Sequence, residues 1–152
     1  MLLSLRDAET RYGLIENGKW ADELKWCTVL AIPAELSVSW MNTATGGPTT
    51  HIYCNRDMAP ALGRALQNII SRGLIGQLKT FDGCFIIRCI RGESTISVHS
   101  YALAVDINAS TNKLGTLGDM SDDLAKCFTD EGFIWGGTFG RVDKMHFQLA
   151  AW

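Results

Sequence analysis

The chain has no excess of positive charge: fourteen Lys and Arg stand against sixteen Asp and Glu, a net charge of −2. Without a basic stripe, nucleic-acid binding has no foundation, nor has adhesion to an anionic surface. Long apolar runs are missing too. No stretch approaches the roughly 20 apolar residues of a membrane helix, so no membrane insertion is expected. The N-terminal residues Met1 to Asp7 lack the apolar core and small-residue cleavage site of a signal peptide, which predicts synthesis in the cytoplasm without one. No CxxC pair occurs among the five cysteines, and their number is odd. That pattern argues against a secreted disulfide framework and for reduced, mostly buried thiols. Cys84 and Cys89 alone are spaced to face each other across an irregular strand. Repeats and low-complexity segments are also absent. Histidine is scarce, with three in 152 residues, and two of them lie in the stretches that carry most of the polar chemistry.

What is present is ordinary globular material, 47% hydrophobic and 20% charged. A chain of this length can bury roughly 68–70% of its unfolded surface, enough for a core without staples. A single domain over residues 1–152 is expected, and a monomer. Ser4 to Tyr12 reads as a helix, with Ser4 as cap, Asp7 at the capping-box spacing and Gly13 as terminator. Residues 14–26 carry no firm pattern. Thr28 to Ile32 and Leu36 to Trp40 alternate like strands on either side of Pro33. Residues 42–50, with Gly46-Gly47-Pro48, form a loop. His51 to Cys54 reads as a short strand.

Asp57 to Arg72 is the clearest helix, capped by Asn55 or Asp57, with Met58, Leu62, Leu66, Ile69 and Ile70 on one stripe. Phe81-Asp82-Gly83 reads as a turn and Cys84 to Ile90 as a buried strand that carries Arg88. Asn108 to Gly118 reads as a surface loop. Ser121 caps a second long helix that Gly132 ends. Phe133 to Trp135 and Met145 to Leu149 read as closing strands. The pattern is α+β, with a mainly antiparallel sheet flanked by helices.

The chemistry gathers in two segments, Ser97 to Asp106 and Asp143 to Phe147. They bring His99, Asp106, Asp143 and His146 into play. Imidazole nitrogen and carboxylate oxygen are the donors zinc prefers, with one position left for water at a catalytic site. On a straight strand His99 and Asp106 would lie some 23 Å apart on opposite faces, so sharing an ion requires a turn between them. Asp143, three residues before His146, can act as a base near a metal-activated water. Arg88 on an apolar segment needs a use or a partner for its charge. Residue types and spacing alone support a second reading equally: two satisfied core histidines, two turn aspartates and an ion-paired arginine. His51 reads as a surface or strand-edge histidine, with a fourth metal ligand or a substrate contact as the alternatives.

Ser97-x-His99-x-x-Ala102-x-Ala104-x-Asp106 resembles the SxHxxGxAxD signature of zinc D-alanyl-D-alanine carboxypeptidases and L-alanyl-D-glutamate endopeptidases. Trp135-Gly136-Gly137, then Asp143-x-x-His146-Phe147, is similar to the second signature of that group. The likeness is clearest over residues 80–150 and is strongest to phage endolysins and related small cell-wall peptidases. It implies the fold shared with Hedgehog signalling domains. It also implies one zinc ion held by His99, Asp106 and His146, with Asp143 as general base and Arg88 polarising the scissile carbonyl. Ser97 would be a site-wall or substrate-contact residue, Trp135 with Gly136 and Gly137 would shape the wall of the substrate cleft, and Arg91 is a candidate for a terminal carboxylate.

Two positions depart from the pattern: Ala102 replaces glycine, and Gln148 stands where many relatives carry glutamate. The resemblance implies a peptidase acting on the stem peptide of bacterial peptidoglycan, with the endolysin-type L-alanyl-D-glutamate endopeptidase first and the D-alanyl-D-alanine carboxypeptidase second. It would act on the wall after holin-dependent release. The reading from another class is a non-catalytic zinc module that binds cell wall or a protein.

Overall fold

A computed structural model describes residues 3–152. Helix α1 (Leu5–Tyr12) begins as its sequence demands: Ser4 Oγ accepts the Asp7 N–H, and the Asp7 carboxylate accepts the Ser4 N–H in return. Ala8 and Tyr12 face the core. The unpatterned stretch after it is a hairpin, β1 (Ile15–Glu16) and β2 (Lys19–Trp20). Asn17 and Gly18 both take positive φ, the geometry of a two-residue turn that follows strand twist. The Asn-Gly dipeptide was the signal for it. Short helix α2 (Glu23–Trp26) then leads into β3 (Cys27–Ala31).

Three expectations are corrected after β3. Leu36 to Trp40 is not a strand, because residues Ala34–Ser37 form the single-turn helix α3. Leu36 and Trp40 are buried, whereas Val38, which strand alternation would place with them, is 80% exposed. Burial at a spacing of four follows a helical turn. Phe81 to Gly83 is not a turn but part of strand β6 (Thr80–Gly83), with its register broken between Phe81 and Gly83. Cys84 to Ile90 is not a buried strand. It runs irregularly, with Cys84 buried but Ile86, Cys89 and Ile90 exposed, and with one isolated bridge between Cys89 and Ile96. All five thiols are free. Cys84 and Cys89 direct their sulfurs to different carbonyls, those of Ala102 and Ser94.

The remaining elements follow their patterns closely. Strand β4 (Met41–Asn42) precedes β5 (His51–Asn55), and helix α4 (Ala59–Ser71) buries Leu62, Leu66 and Ile69. Strand β7 (Ala104–Ile107), helix α5 (Asp122–Thr129), β8 (Phe133–Trp135) and β9 (His146–Leu149) complete the chain. The main sheet has the order β4-β6-β7-β9-β8. Only β4 and β6 pair in parallel; the other neighbours are antiparallel. Strands β3 and β5 form a separate antiparallel pair. Helix α4 packs on α5, and ion pairs Arg64–Glu131 and Arg72–Asp130 close that interface at its edge. One hydrophobic core runs from α1 through both helices to β9. The architecture is α+β. The loop after β7 is less superficial than its composition suggests, for Asn108 and Asn112 are buried and satisfy backbone groups of Lys79, Thr80, Asp119 and Met120.

Ala102 is fully buried at φ 54°, ψ 35°, in the left-handed region. That conformation costs an L-residue about 1–2 kcal/mol. Glycine would remove the strain but lose a buried methyl worth about 0.8 kcal/mol and add about 0.5–1 kcal/mol of backbone entropy. Ala102→Gly is therefore expected to change unfolding free energy by less than about 1 kcal/mol. Ala102→Val, β-branched at positive φ in a packed site, should cost about 2 kcal/mol or more in urea denaturation.

The α1 end is tied down by Asp57, which accepts from Arg11 and from the Tyr12 hydroxyl at 2.8 Å each. Burial pushes the Asp57 carboxyl up, but these hydrogen bonds and the Arg11 charge outweigh it and hold it below the usual carboxylate range. A depressed folded-state pKa adds stability that is complete above the unfolded value and is lost as pH falls through the folded one. Asp57→Asn should flatten the acid side of the stability curve below about pH 4, measured by urea unfolding at stepped pH.

Candidate active site

The turn required between His99 and Asp106 is present. Ser97 caps a 3-10 turn, Val98–Tyr101, by accepting the His99 N–H at 3.3 Å. The left-handed Ala102 then reverses the chain into β7. Asn55 anchors this reversal from outside: its N–H donates to the Ala102 carbonyl at 3.0 Å and its side-chain amide to the Tyr101 carbonyl at 3.1 Å. Asp106 sits on β7 directly opposite His146 on β9, so the antiparallel register sets the pair on one face. Phe147 points to the other face, where it stacks on Phe128 and Trp135.

His99 Nε2, Asp106 Oδ1 and His146 Nδ1 meet in a triangle with sides of 3.2, 3.1 and 3.2 Å. Their outward nitrogens are committed. His99 Nδ1 lies 2.8 Å from the Cys84 carbonyl, and His146 Nε2 lies 2.9 Å from Gln148 Oε1. Both partner atoms are oxygens that accept, which favours the tautomer with the protons on the outward nitrogens and lone pairs on the inward ones. Three acceptors this close repel one another unless a proton or a metal cation lies among them. Tetrahedral zinc with ligands at about 2.0–2.1 Å would separate those ligands by about 3.3 Å. The donor set and its spacing therefore fit a divalent metal, with Gln148 and the Cys84 carbonyl orienting the rings from behind.

The charges agree with that. Burial would raise the Asp106 carboxyl, but its contacts with His146 and His99 and their charges hold it well below the carboxylate range. Burial would lower His146, but the Asp106 contact and charge outweigh it and raise it. Both shifts mean that positive charge is favoured where the three atoms converge.

Asp143 reaches the same cavity from the turn before β9. It is half-buried, and its Oδ1 is buried without a hydrogen-bond partner among the described residues. Burial and the Asp106 charge raise its carboxyl, against the charges of His146, His99 and Arg91. An unpartnered carboxylate oxygen with an elevated pKa suits a proton acceptor. Gly136 makes this placement possible. Its N-terminal neighbour strand ends where a Cβ on Gly136 would stand 2.3 Å from the Asp143 carbonyl oxygen, and the Asp143 N–H donates to the Gly136 carbonyl at 2.9 Å.

The cavity has a volume of about 460 Å³. Arg88, Arg91 and Ser97 line it, together with all three members of the triangle and Asp143. Ser97 is nearly buried, and its hydroxyl is used in capping His99. Trp135 is placed differently from the expected cleft wall. It is not among the cavity's lining residues. Its indole N–H donates to the Lys144 carbonyl at 2.9 Å and its ring stacks on Phe147, so it braces the turn that carries Asp143. His51 is exposed on β5, beside the Thr50 hydroxyl, and takes no part in the triangle.

Three contributors lay outside the sequence reading. Asn55, expected only as a helix cap, accepts the Asp57 N–H ahead of α4 and also holds the turn through its own N–H groups. Ser100, fully buried, accepts the Arg88 N–H and lies 3.0 Å from the Arg88 carbonyl, fixing the arginine's backbone. Arg141 lines the cavity from the turn before Asp143. Only the Asn-Gly turn carried a local sequence signal; these three depend on distant contacts.

Among known families, residues 91–149 match the one described as D-alanyl-D-alanine carboxypeptidase. The matched span contains His99, Asp106, Asp143 and His146. No curated protein and no solved structure matches the chain.

Gln148→Ala removes the acceptor behind His146. It should weaken zinc binding about 10–100-fold in competition with a chromogenic chelator, while His99→Ala should abolish binding of the single equivalent.

Proposed function

We propose that this protein is a zinc-dependent peptidase that hydrolyses the stem peptide of bacterial peptidoglycan, as an endolysin-type L-alanyl-D-glutamate endopeptidase. The observation that carries the reading is the convergence of three lone pairs at 3.1–3.2 Å, with the unpartnered Asp143 Oδ1 in the same cavity. His99, Asp106 and His146 would hold the ion. Zinc supplies Lewis acidity when bound, polarising a carbonyl and making water acidic near neutral pH.

The chain's own residues do the rest. Asp143 takes the proton from the attacking water at its free oxygen and passes it to the leaving amine nitrogen. Arg88 offers its guanidinium to the carbonyl oxygen as negative charge develops there. The outward hydrogen bonds to Cys84 and Gln148 hold both imidazoles still during the reaction, so little reorganisation is needed. Its place of action on this reading is the cell wall, reached by holin-dependent release. The printed description of the matching family favours a second reading, D-alanyl-D-alanine carboxypeptidase, on the same machinery.

Digestion of purified peptidoglycan with and without a chelator separates the two by mass spectrometry. A new amino terminus on D-glutamate identifies the endopeptidase, and released D-alanine the carboxypeptidase. Both products should vanish with chelator and return with zinc. Asp143→Ala should retain zinc and fold, and lose about 10²–10⁴-fold in kcat. Hydrolysis at the native rate in that variant would rule out the mechanism, and no product from the zinc-loaded protein would favour a binding module.

A further inference from the structure

Six of the eight arginines fall into two groups; Arg6 and Arg56 lie outside the cavity and form no ion pair among the described residues. Arg11, Arg64 and Arg72 each pair with a carboxylate, and all lie away from the cavity. Arg88, Arg91 and Arg141 line the cavity and form no ion pair among the described residues. Glu93 is the one acid of the lining besides Asp106 and Asp143. A divalent ion offsets those two aspartates, and three arginines against one glutamate leave two positive charges. The chain as a whole carries −2. The cleft is thus opposite in sign to the molecule that contains it.

Arg141 is the most deliberately placed of the three. It projects from the turn before Asp143 across the cleft mouth to the facing loop. There its Nη1 donates to the Arg91 carbonyl at 2.8 Å. The loop turns there at Gly92, whose φ of 84° lies in the region that favours glycine. One N–H fixes the guanidinium, and the other donors of the planar fork have no partner among the described residues. Arg91, Arg141 and Asp143 line the same cavity, so this lip belongs to the reacting centre. Apolar side chains, Ile96, Val98, Leu114 and Phe139 among them, make up much of the remaining wall. A peptide with small or apolar side chains and a free carboxylate near the scissile amide matches both.

We propose that Arg141, with Arg91, forms an anion clamp at the cleft mouth and is a specificity-determining residue for a substrate carboxylate next to the cleaved bond. The proposal rests on the peptidase reading for its substrate class, but the clamp itself can be tested apart from turnover. A guanidinium held by one backbone carbonyl meets a carboxylate with two parallel N–H donors, and an amide in place of the carboxylate loses the charge and one acceptor.

The test uses zinc-loaded protein and synthetic stem pentapeptides, one with every carboxylate free and others with each carboxylate amidated in turn. Native protein should cleave the free peptide with a kcat/KM at least 10-fold above one of the amidated peptides. Arg141→Gln should lower kcat/KM for the free peptide at least 10-fold, mainly through KM. It should leave the discriminated amide within about 3-fold, at unchanged zinc content. Equal losses on both peptides would assign Arg141 a purely structural tie between the two lips and overturn the clamp. An absence of any discrimination by the native protein would overturn it as well. If the native protein cleaves neither peptide, the peptidase reading fails, and calorimetric binding of the same peptides decides the clamp. A preference for the free peptide that Arg141→Gln abolishes supports it, and equal affinities refute it.

Discussion

Mutual repulsion among three lone pairs is the constraint on which the rest of this structure depends. His99, Asp106 and His146 present acceptors to one another at 3.1–3.2 Å, a spacing that only positive charge at their centre makes favourable. Holding them there takes structure on every side. The Cys84 carbonyl and Gln148 fix the imidazole protons outward, and strand pairing of Asp106 with His146 sets two of the three vertices by backbone geometry alone. The third vertex depends on a left-handed residue and on a turn that Asn55 anchors from β5. The part of the chain before residue 91 thus shapes the centre without contributing any of its three donor atoms.

The second segment is organised by close approach rather than by hydrogen bonding alone. Gly136 leaves room for the Asp143 backbone, and the Trp135 indole ties down Lys144. The aromatic residue and the glycines around it therefore act together, positioning a carboxylate that has no partner of its own. A buried oxygen with no partner among the described residues, beside a donor set that fits a metal, is costly to the fold and is useful only if something is brought to it. That cost, the left-handed Ala102, and the cationic lip formed by Arg88, Arg91 and Arg141 are places in and around the cavity where the chain departs from what stability alone would select.

Much of this was legible in the chain, for physical reasons that can be stated residue by residue. The helices α1, α4 and α5 were readable because caps and apolar stripes are local signals. Leu36 to Trp40 and Cys84 to Ile90 misled because short apolar runs fit strand, turn and irregular backbone alike, and their exposure is set by what lies opposite. Phe81 to Gly83 reads as a turn because Asp-Gly is a turn dipeptide, yet pairing with β7 makes it a strand with a broken register. Trp135 was legible as a motif residue but not in its direction, since which face an aromatic ring takes depends on neighbours far along the chain.

The sequence by itself determined the donor types: two imidazoles and two carboxylates in two ordered segments, with too few other histidines to build a competing site. It also determined that a turn must separate His99 from Asp106, because an extended chain cannot bring them together. Only the tertiary structure decided that the three donors meet at metal-ligand spacing, which nitrogens carry protons, and that Asp143 and Arg141 face the same cavity. Those facts arise from strand register and from contacts between residues 40 or more positions apart, such as His146 with Asp106 and Asn55 with Tyr101. Local residue patterns encode propensity and polarity; they carry no record of such distances.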